Sequence, residues 1–244
     1  MVRVEWRDRV VVVTIDRPER RNAVDHATLL ALAEAQRDAI TGDARVLVLT
    51  GAPPAFCAGA DLTGVESGAF VDALVAALRG FTSLGIVTMA AIDGPALGAG
   101  TQLAVACDLR LAAPTSTFGI PAAKLGLAVD RWTVERVAQE FGASTARGML
   151  LAAQTYSAEH LHVSGGVHRL GGLAEALVWA DELAAMAPLT IAAHKLALEG
   201  IGRADDADLD AMFETARSAA WASADAEEGR LAFLEKRRPV FRGR

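Results

Sequence analysis

The chain has 244 residues, 52% of them hydrophobic, enough for one compact domain with a large core. Its formal net charge of −6, with no Lys/Arg-dense stretch, excludes a basic nucleic-acid footprint. Two distant cysteines, Cys57 and Cys107, without a CxxC pair, argue against a disulfide framework or a zinc site and for a reducing, cytoplasmic setting.

The opening Met1-Val2-Arg3-Val4-Glu5-Trp6 is charged and alternating, unlike a signal peptide. Val10 to Ile15 reads as a continuous apolar strand closed by the polar turn Asp16-Arg17-Pro18-Glu19. His26 to Ile40 reads as a helix, Val46 to Thr50 as a strand, Ala69 to Arg79 as a helix and Val87 to Ile92 as a buried strand. Gly100 to Cys107 is a short helix and Leu109 to Ala112 a strand. This alternation argues for parallel βα units and an α/β class. Beyond Val134 the pattern becomes helical: Glu135 to Phe141, Thr145 to Ala152, Leu173 to Met186, Thr190 to Glu199, Asp208 to Trp221 and Ala224 to Lys236. Only Val167 to Leu170 looks like a strand there. No Ser/Gly/Pro-rich linker intervenes, so the expected organisation is a core over 1–189 carrying a C-terminal helical region over 190–244. Apolar stretches are short or broken by acids, so no membrane span is expected. No metal site is expected either, since His160 and His162, at i and i+2, would point different ways on a helix.

Two loops carry candidate chemistry. Phe56-Cys57-Ala58-Gly59-Ala60-Asp61-Leu62 follows a strand, and its small residues let a ligand approach the backbone closely. The Ala60 N–H could point at an oxygen and Asp61 could cap a following turn; the plainer reading is a tight surface turn. Asp93-Gly94-Pro95-Ala96-Leu97-Gly98-Ala99-Gly100-Thr101-Gln102-Leu103 runs from a buried strand into a helix, leaving unpaired N–H groups at the positive end of a helix dipole. A dinucleotide-binding loop is the competitor, but Leu103 holds the place of its third glycine and no ribose-binding acid is evident.

These two loops, together with Arg20-Arg21-Asn22-Ala23-Val24, Phe118-Gly119-Ile120-Pro121 and Phe233-Leu234-Glu235-Lys236-Arg237-Arg238-Pro239, resemble the crotonase (enoyl-CoA hydratase/isomerase) superfamily in order and spacing over nearly the whole chain. The resemblance implies a spiral of ββα turns whose C-terminal helices assemble trimers or dimers of trimers. It implies an acyl-CoA ligand and no separate cofactor, coenzyme A being part of the ligand. The backbone N–H groups of Ala60 and Ala99 become the oxyanion donors, the latter where the family usually has glycine. Asn22, Ala23, Val24, Ala58 and Gly98 fall along the ligand track, and Lys236 and Arg237 near the coenzyme A phosphates, where an exposed basic tail is the equal alternative.

A hydratase of this family uses two glutamates, and here their places hold Gln102 and Ala122. An amide is a poor base near neutral pH and a methyl group cannot donate a proton. Asp130 aligns with a catalytic aspartate of some isomerase and dehalogenase members, with a helix N-cap as the competing role. Trp132, with Ile120, Leu125 and Leu127, would give that region an apolar lining suited to a fatty acyl chain. Glu66 or Asp72 could supply a carboxylate from elsewhere, whereas Cys57 reads as a small buried residue rather than a nucleophile. Two classes follow: an acyl-CoA-binding protein without classical hydratase activity, serving a lipid-synthesis or degradation partner, or an isomerase or hydratase working through Asp130.

Overall fold

A computed structural model of the chain describes residues 1–61, 68–201 and 207–244. The architecture is a spiral in which each turn lays one strand into a large sheet and one short extended segment into an inner layer, and then forms one helix. The first turn runs from β2 (Val10–Ile15) through a single bridging residue, Val24, into α1 (His26–Thr41). The second runs from β3 (Val46–Gly51) through Cys57–Ala60 into α2 (Gly68–Ser83). The third passes from β4 (Val87–Ile92) through β5 (Pro95–Leu97) into α3 (Ala99–Ala106). The fourth passes from β6 (Leu109–Ala112) through β7 (Thr117–Gly119) and a 3-10 turn over Pro121–Leu125 into α4 (Arg131–Phe141).

The large sheet has the order β1-β2-β3-β4-β6-β9, where β1 is Val2–Arg7 and β9 is Arg169–Leu170. Only β1 pairs antiparallel, in a hairpin registering Arg7 with Val10. Both faces of the central strands are buried, which is why Val10–Ile15 and Val46–Thr50 read as unbroken apolar runs rather than alternating ones. One face packs against the inner layer and helices through Leu47, Leu49, Phe56, Phe81 and Leu103. The other lies under α7 (Leu173–Ala184), which contributes Ala176, Trp179, Ala180 and Leu183. In the inner layer β5 pairs with β7 and β7 with β8 (Thr155–Ser157). Isolated bridges at Val24–Ala60 and Cys57–Ala96 continue it across the earlier turns.

The remaining helices are α5 (Ala143–Leu151), α6 (Ala158–Val163), α8 (Pro188–Glu199), α9 (Ala207–Trp221) and α10 (Ala224–Glu235). Helix α8 is tied to the core by the buried Lys195 ammonium, which donates to the Phe81 and Ile86 carbonyls and to Asp108 Oδ2 at 2.8–3.0 Å. No single helix among the described residues is long and apolar enough to cross a membrane.

The most buried charge is Arg110, 1% exposed. Its guanidinium donates to the carbonyls of Gly166 (2.7 Å), Cys107 (2.8 Å) and Ala104 (3.2 Å) and pairs with Glu140. Desolvation lowers its pKa, opposed by the Glu140 charge. Removing one partner of such a buried network leaves the others uncompensated, so Arg110→Ala should cost about 3–5 kcal/mol, measured by urea unfolding. A second expectation concerns His168, whose Nδ1 faces the Arg110 backbone N–H. Burial, then the Arg110 charge, push its pKa down to about 4. Between the ordinary value near 6.5 and about 4 the unfolded chain therefore binds a proton that the folded one refuses. Stability should fall as pH drops through that window, and His168→Gln should flatten the decline. His168 remains partly exposed, so the effect is damped.

Candidate active site

The spiral brings the two small-residue loops into contact. Val24 N–H donates to the Gly59 carbonyl and Asp61 N–H to the Val24 carbonyl. The parallel bridge therefore leaves the intervening Ala60 N–H pointing away from Val24, toward the third turn. On that side Cys57 N–H donates to the Pro95 carbonyl and Leu97 N–H to the Cys57 carbonyl. A Cβ on Gly98 would lie 3.6 Å from the Gly59 Cα, so the residues preceding Ala60 and Ala99 are in backbone contact. Neither Ala60 N–H nor Ala99 N–H has a hydrogen-bond partner among the described residues.

Local sequence explains the geometry. Gly98 has φ 53° and ψ −117°, a conformation that only glycine adopts readily, and turns the chain from β5 into α3. Gly100 must lack a side chain because a Cβ there would meet the Cys57 carbonyl oxygen at 2.2 Å. Thr101 locks the junction, its hydroxyl donating to the Ala96 carbonyl and accepting from the Gly119 N–H. Every residue of α3 is buried. Its C-terminal carbonyls are taken by Arg110, at Ala104 and Cys107, and by Arg136, at Val105 (2.7 Å). Its N-terminal amides are left for whatever occupies the site.

Gln102 stands one turn after Ala99 and is 5% exposed; its Nε2 is 3.2 Å from Thr133 Oγ1 on α4. Half-buried Ala60, Ala122, Val129 and Trp132 all pack against the same core. The Arg79 guanidinium lies 5.3 Å from the Trp132 ring centre, joining α2 to α4. Leu125 and Leu127 sit on the solvent-exposed stretch before α4, and Ile120 is buried.

Other expected residues play different parts. Asn22 is wholly buried with φ 59°; its amide donates to the Ala52 and Ala55 carbonyls at 2.6 Å, and its oxygen accepts from the Arg17 N–H. Val24 is wholly buried as well. Expected along the ligand track, both point their side chains inward and shape the backbone at half-buried Ala23 and Ala58 instead. Asp130 caps α4, its Oδ1 accepting from Thr133 N–H at 2.6 Å, which is the competing role weighed for it. Lys236 is exposed at the end of α10 with φ 54°. Its neighbour Arg237, expected near phosphates, instead binds Glu228 and Glu235. The Arg237 guanidinium, with the Val240 N–H, brings the Glu228 pKa down to about 2. Asp72 is exposed on α2, while Leu62, Glu66 and any turn capped by Asp61 lie outside the described residues. Cys57 is fully buried and its thiol pKa is pushed up to about 12 by desolvation, which removes it as a nucleophile.

Arg17, read from sequence only as part of a polar turn, proves central. Its guanidinium reaches Asp25 Oδ2 (3.0 Å), Asp61 Oδ2 (3.2 Å) and the Ala23 carbonyl, clamping the first turn to the loop that bears Ala60. Although desolvation opposes it, hydrogen bonds from Thr28 and the Arg17 charge hold the Asp25 pKa below its usual range. Arg and Asp separated by 44 residues carry no local signal of this pairing.

The enoyl-CoA hydratase/isomerase family model matches residues 5–244. The chain is 40% identical over its full length, and over the full length of the relative, to the "Probable enoyl-CoA hydratase echA6" of Mycobacterium tuberculosis. It is 32% identical to the 2,3-dehydroadipyl-CoA hydratase of Escherichia coli, covering 99% of this chain and 98% of the relative. Among solved structures, enoyl-CoA hydratase EchA1 of Mycobacterium marinum superposes with a TM-score of 0.85 at 35% identity, covering 100% of this chain and 99% of that one. An enoyl-CoA hydratase of Polaromonas sp. JS666 gives 0.91 at 27% identity, covering 99% of each.

Losing the Arg17 guanidinium strands two partly buried carboxylates, so Arg17→Ala should destabilise the protein by about 2 kcal/mol and loosen the Ala60 loop. Chemical denaturation and amide hydrogen exchange at residues 58–61 would register both effects.

Proposed function

The chain belongs to the enoyl-CoA hydratase/isomerase family and has its crotonase fold, and we propose that it binds fatty acyl-CoA thioesters in lipid metabolism without hydrating them. The reading rests above all on the Gln102–Thr133 contact. Where a hydratase would hold a carboxylate, a neutral amide is fixed against a hydroxyl, and Ala122 offers only a methyl group. The unpartnered N–H groups of Ala60 and Ala99, the latter opening α3, are suited to a thioester oxygen. The half-buried Trp132, Val129 and Ala122 surfaces suit an acyl chain. Isomerase or hydratase chemistry on Asp130 is the second reading, favoured by its exposure and by the engagement of Oδ1 alone.

Acyl-CoA should bind in isothermal titration calorimetry, while crotonyl-CoA hydration should be absent or depressed by about 10²–10⁴-fold, the usual contribution of general acid/base catalysis. Gln102→Glu alone should recover little, because addition of water needs a base and an acid. Joined with Ala122→Glu it should recover measurable turnover. Brisk hydration by the unmodified protein would overturn the proposal, and its loss in Asp130→Asn would establish the second reading.

We also propose that residues 190–244 carry an intersubunit surface, giving a homotrimer or a dimer of trimers. The exposed Phe233, Trp221, Leu234 and Leu198 of this region support it. Sedimentation equilibrium at micromolar concentration should return a multiple of three chain masses, and a monomer mass would exclude it.

A further inference from the structure

Resting on the acyl-CoA reading, we propose that Gln102 is a specificity residue that selects acyl thioesters oxygenated at the β-carbon, 3-hydroxyacyl or 3-oxoacyl, over saturated and 2-enoyl chains of the same length. Gln102 is 95% buried by its 5% exposure, and its contact with Thr133 engages one of its two amide heavy atoms. Neither residue makes any other side-chain hydrogen bond among the described residues. Every fully enclosed side-chain nitrogen or oxygen there has a partner. The second amide atom of Gln102 has none and therefore reaches the accessible surface. That atom is left for a ligand group or a water to satisfy.

Its position fixes what that ligand group is. Gln102 follows Ala99 by three residues, so the two share a face of α3, about 4.5 Å apart along the axis. Helical side chains lean toward the N-terminus, which carries the amide back over the turn that begins at Ala99. A thioester carbonyl held at the Ala99 N–H then places its β-carbon, two bonds away, beside the amide. The α-carbon carries no polar substituent in these ligands, and the chain beyond the β-carbon is hydrocarbon.

Thr133 makes the reader ambivalent. Its hydroxyl both donates and accepts, so it supports the Gln102 amide in either orientation. With Oε1 outward the amide accepts from a β-hydroxyl; with Nε2 outward it donates to a β-keto oxygen. An ionised carboxylate at this place could only accept. Thr133 is itself fixed at the start of α4 by the Asp130 cap and acts as a positioning residue.

The test is calorimetric titration of the full chain with hexadecanoyl-CoA and its trans-2-enoyl, 3-hydroxy and 3-oxo counterparts. The 3-hydroxy and 3-oxo ligands should bind about 5–10-fold more tightly than the saturated one, the yield of one added hydrogen bond. Gln102→Met should bring both ratios to within about twofold of unity. Gln102→Glu should keep the 3-hydroxy preference and lose the 3-oxo preference, and Thr133→Val should weaken both. Because each ratio is taken within one variant, a general loss of stability cancels. Equal affinities in the unmodified protein, or ratios unchanged in Gln102→Met, would overturn this inference and leave acyl-CoA binding standing. Failure of all four ligands to bind would remove the proposed function and this inference together.

Discussion

The arrangement depends on one constraint: α3 is a helix with no solvent-facing residue, so every polar group at its two ends must be met from within the protein or by a ligand. The C-terminal end is met by two guanidinium groups. Arg110 and Arg136 together cover the carbonyls of Ala104, Val105 and Cys107, placing positive charge at the negative end of the helix dipole. Each arginine is itself compensated, Arg110 by Glu140 and Arg136 by Glu199 and Glu140. Desolvation raises the Glu199 pKa, and the Arg136 charge works against that rise. The amides at the other end have no such internal partners among the described residues, and the small-residue loop of the preceding turn is pressed against them.

The spiral explains why residues 39 positions apart in sequence, Ala60 and Ala99, become neighbours. Each turn repeats the same path, so equivalent points of successive turns stack side by side. Ala60 ends the inner-layer segment of the second turn, Ala99 follows that of the third, and Ala122 follows that of the fourth. Arg17 at the end of β2 then braces the first turn against the second through Asp25 and Asp61. A site built this way needs little from side chains at its centre. It needs Gly98 for a backbone conformation, Gly100 for a close approach, and Thr101 to hold the crossing.

Much of this was legible in the amino-acid order. Val10–Ile15, Val87–Ile92 and Leu109–Ala112 are the strands expected from their apolar runs, and the expected helices agree to within about four residues at their ends, whereas the six-residue α6 was not expected. What escaped were the elements too short to show a period. β5 is Pro95-Ala96-Leu97, whose proline and small residues read as a loop, and β7 and β8 have three residues each. Their pairing is set by the spiral rather than by local propensity. β1 escaped for another reason: as an edge strand it is largely exposed, and its alternation of Val, Arg, Glu and Trp lacks an apolar run. At the site, loop chemistry marked the Ala60 N–H and the amides that open α3, and the family resemblance singled out Ala60 and Ala99 as a pair. Neither marked the inward turn of Asn22, because a buried asparagine binding the Ala52 and Ala55 carbonyls depends on contacts 30 and 33 residues away.

In the proposed reading, an amide rather than a carboxylate at Gln102 changes what the surrounding charges can accomplish. Backbone N–H groups and a helix terminus stabilise a carbonyl oxygen in the bound ligand and the negative oxygen of an enolate alike. The difference between those two states becomes rate only if some group removes or delivers a proton. Without such a group the same donors yield affinity. The amide differs from the carboxylate in a second respect, because it needs no counter-charge and loses less on burial. Gln102 can therefore sit 5% exposed beside the Thr133 hydroxyl, where a buried glutamate would carry a desolvation cost. On the proposed reading, a neutral polar group at this point suits the fold to reading the substituents of an acyl chain rather than to moving protons on it.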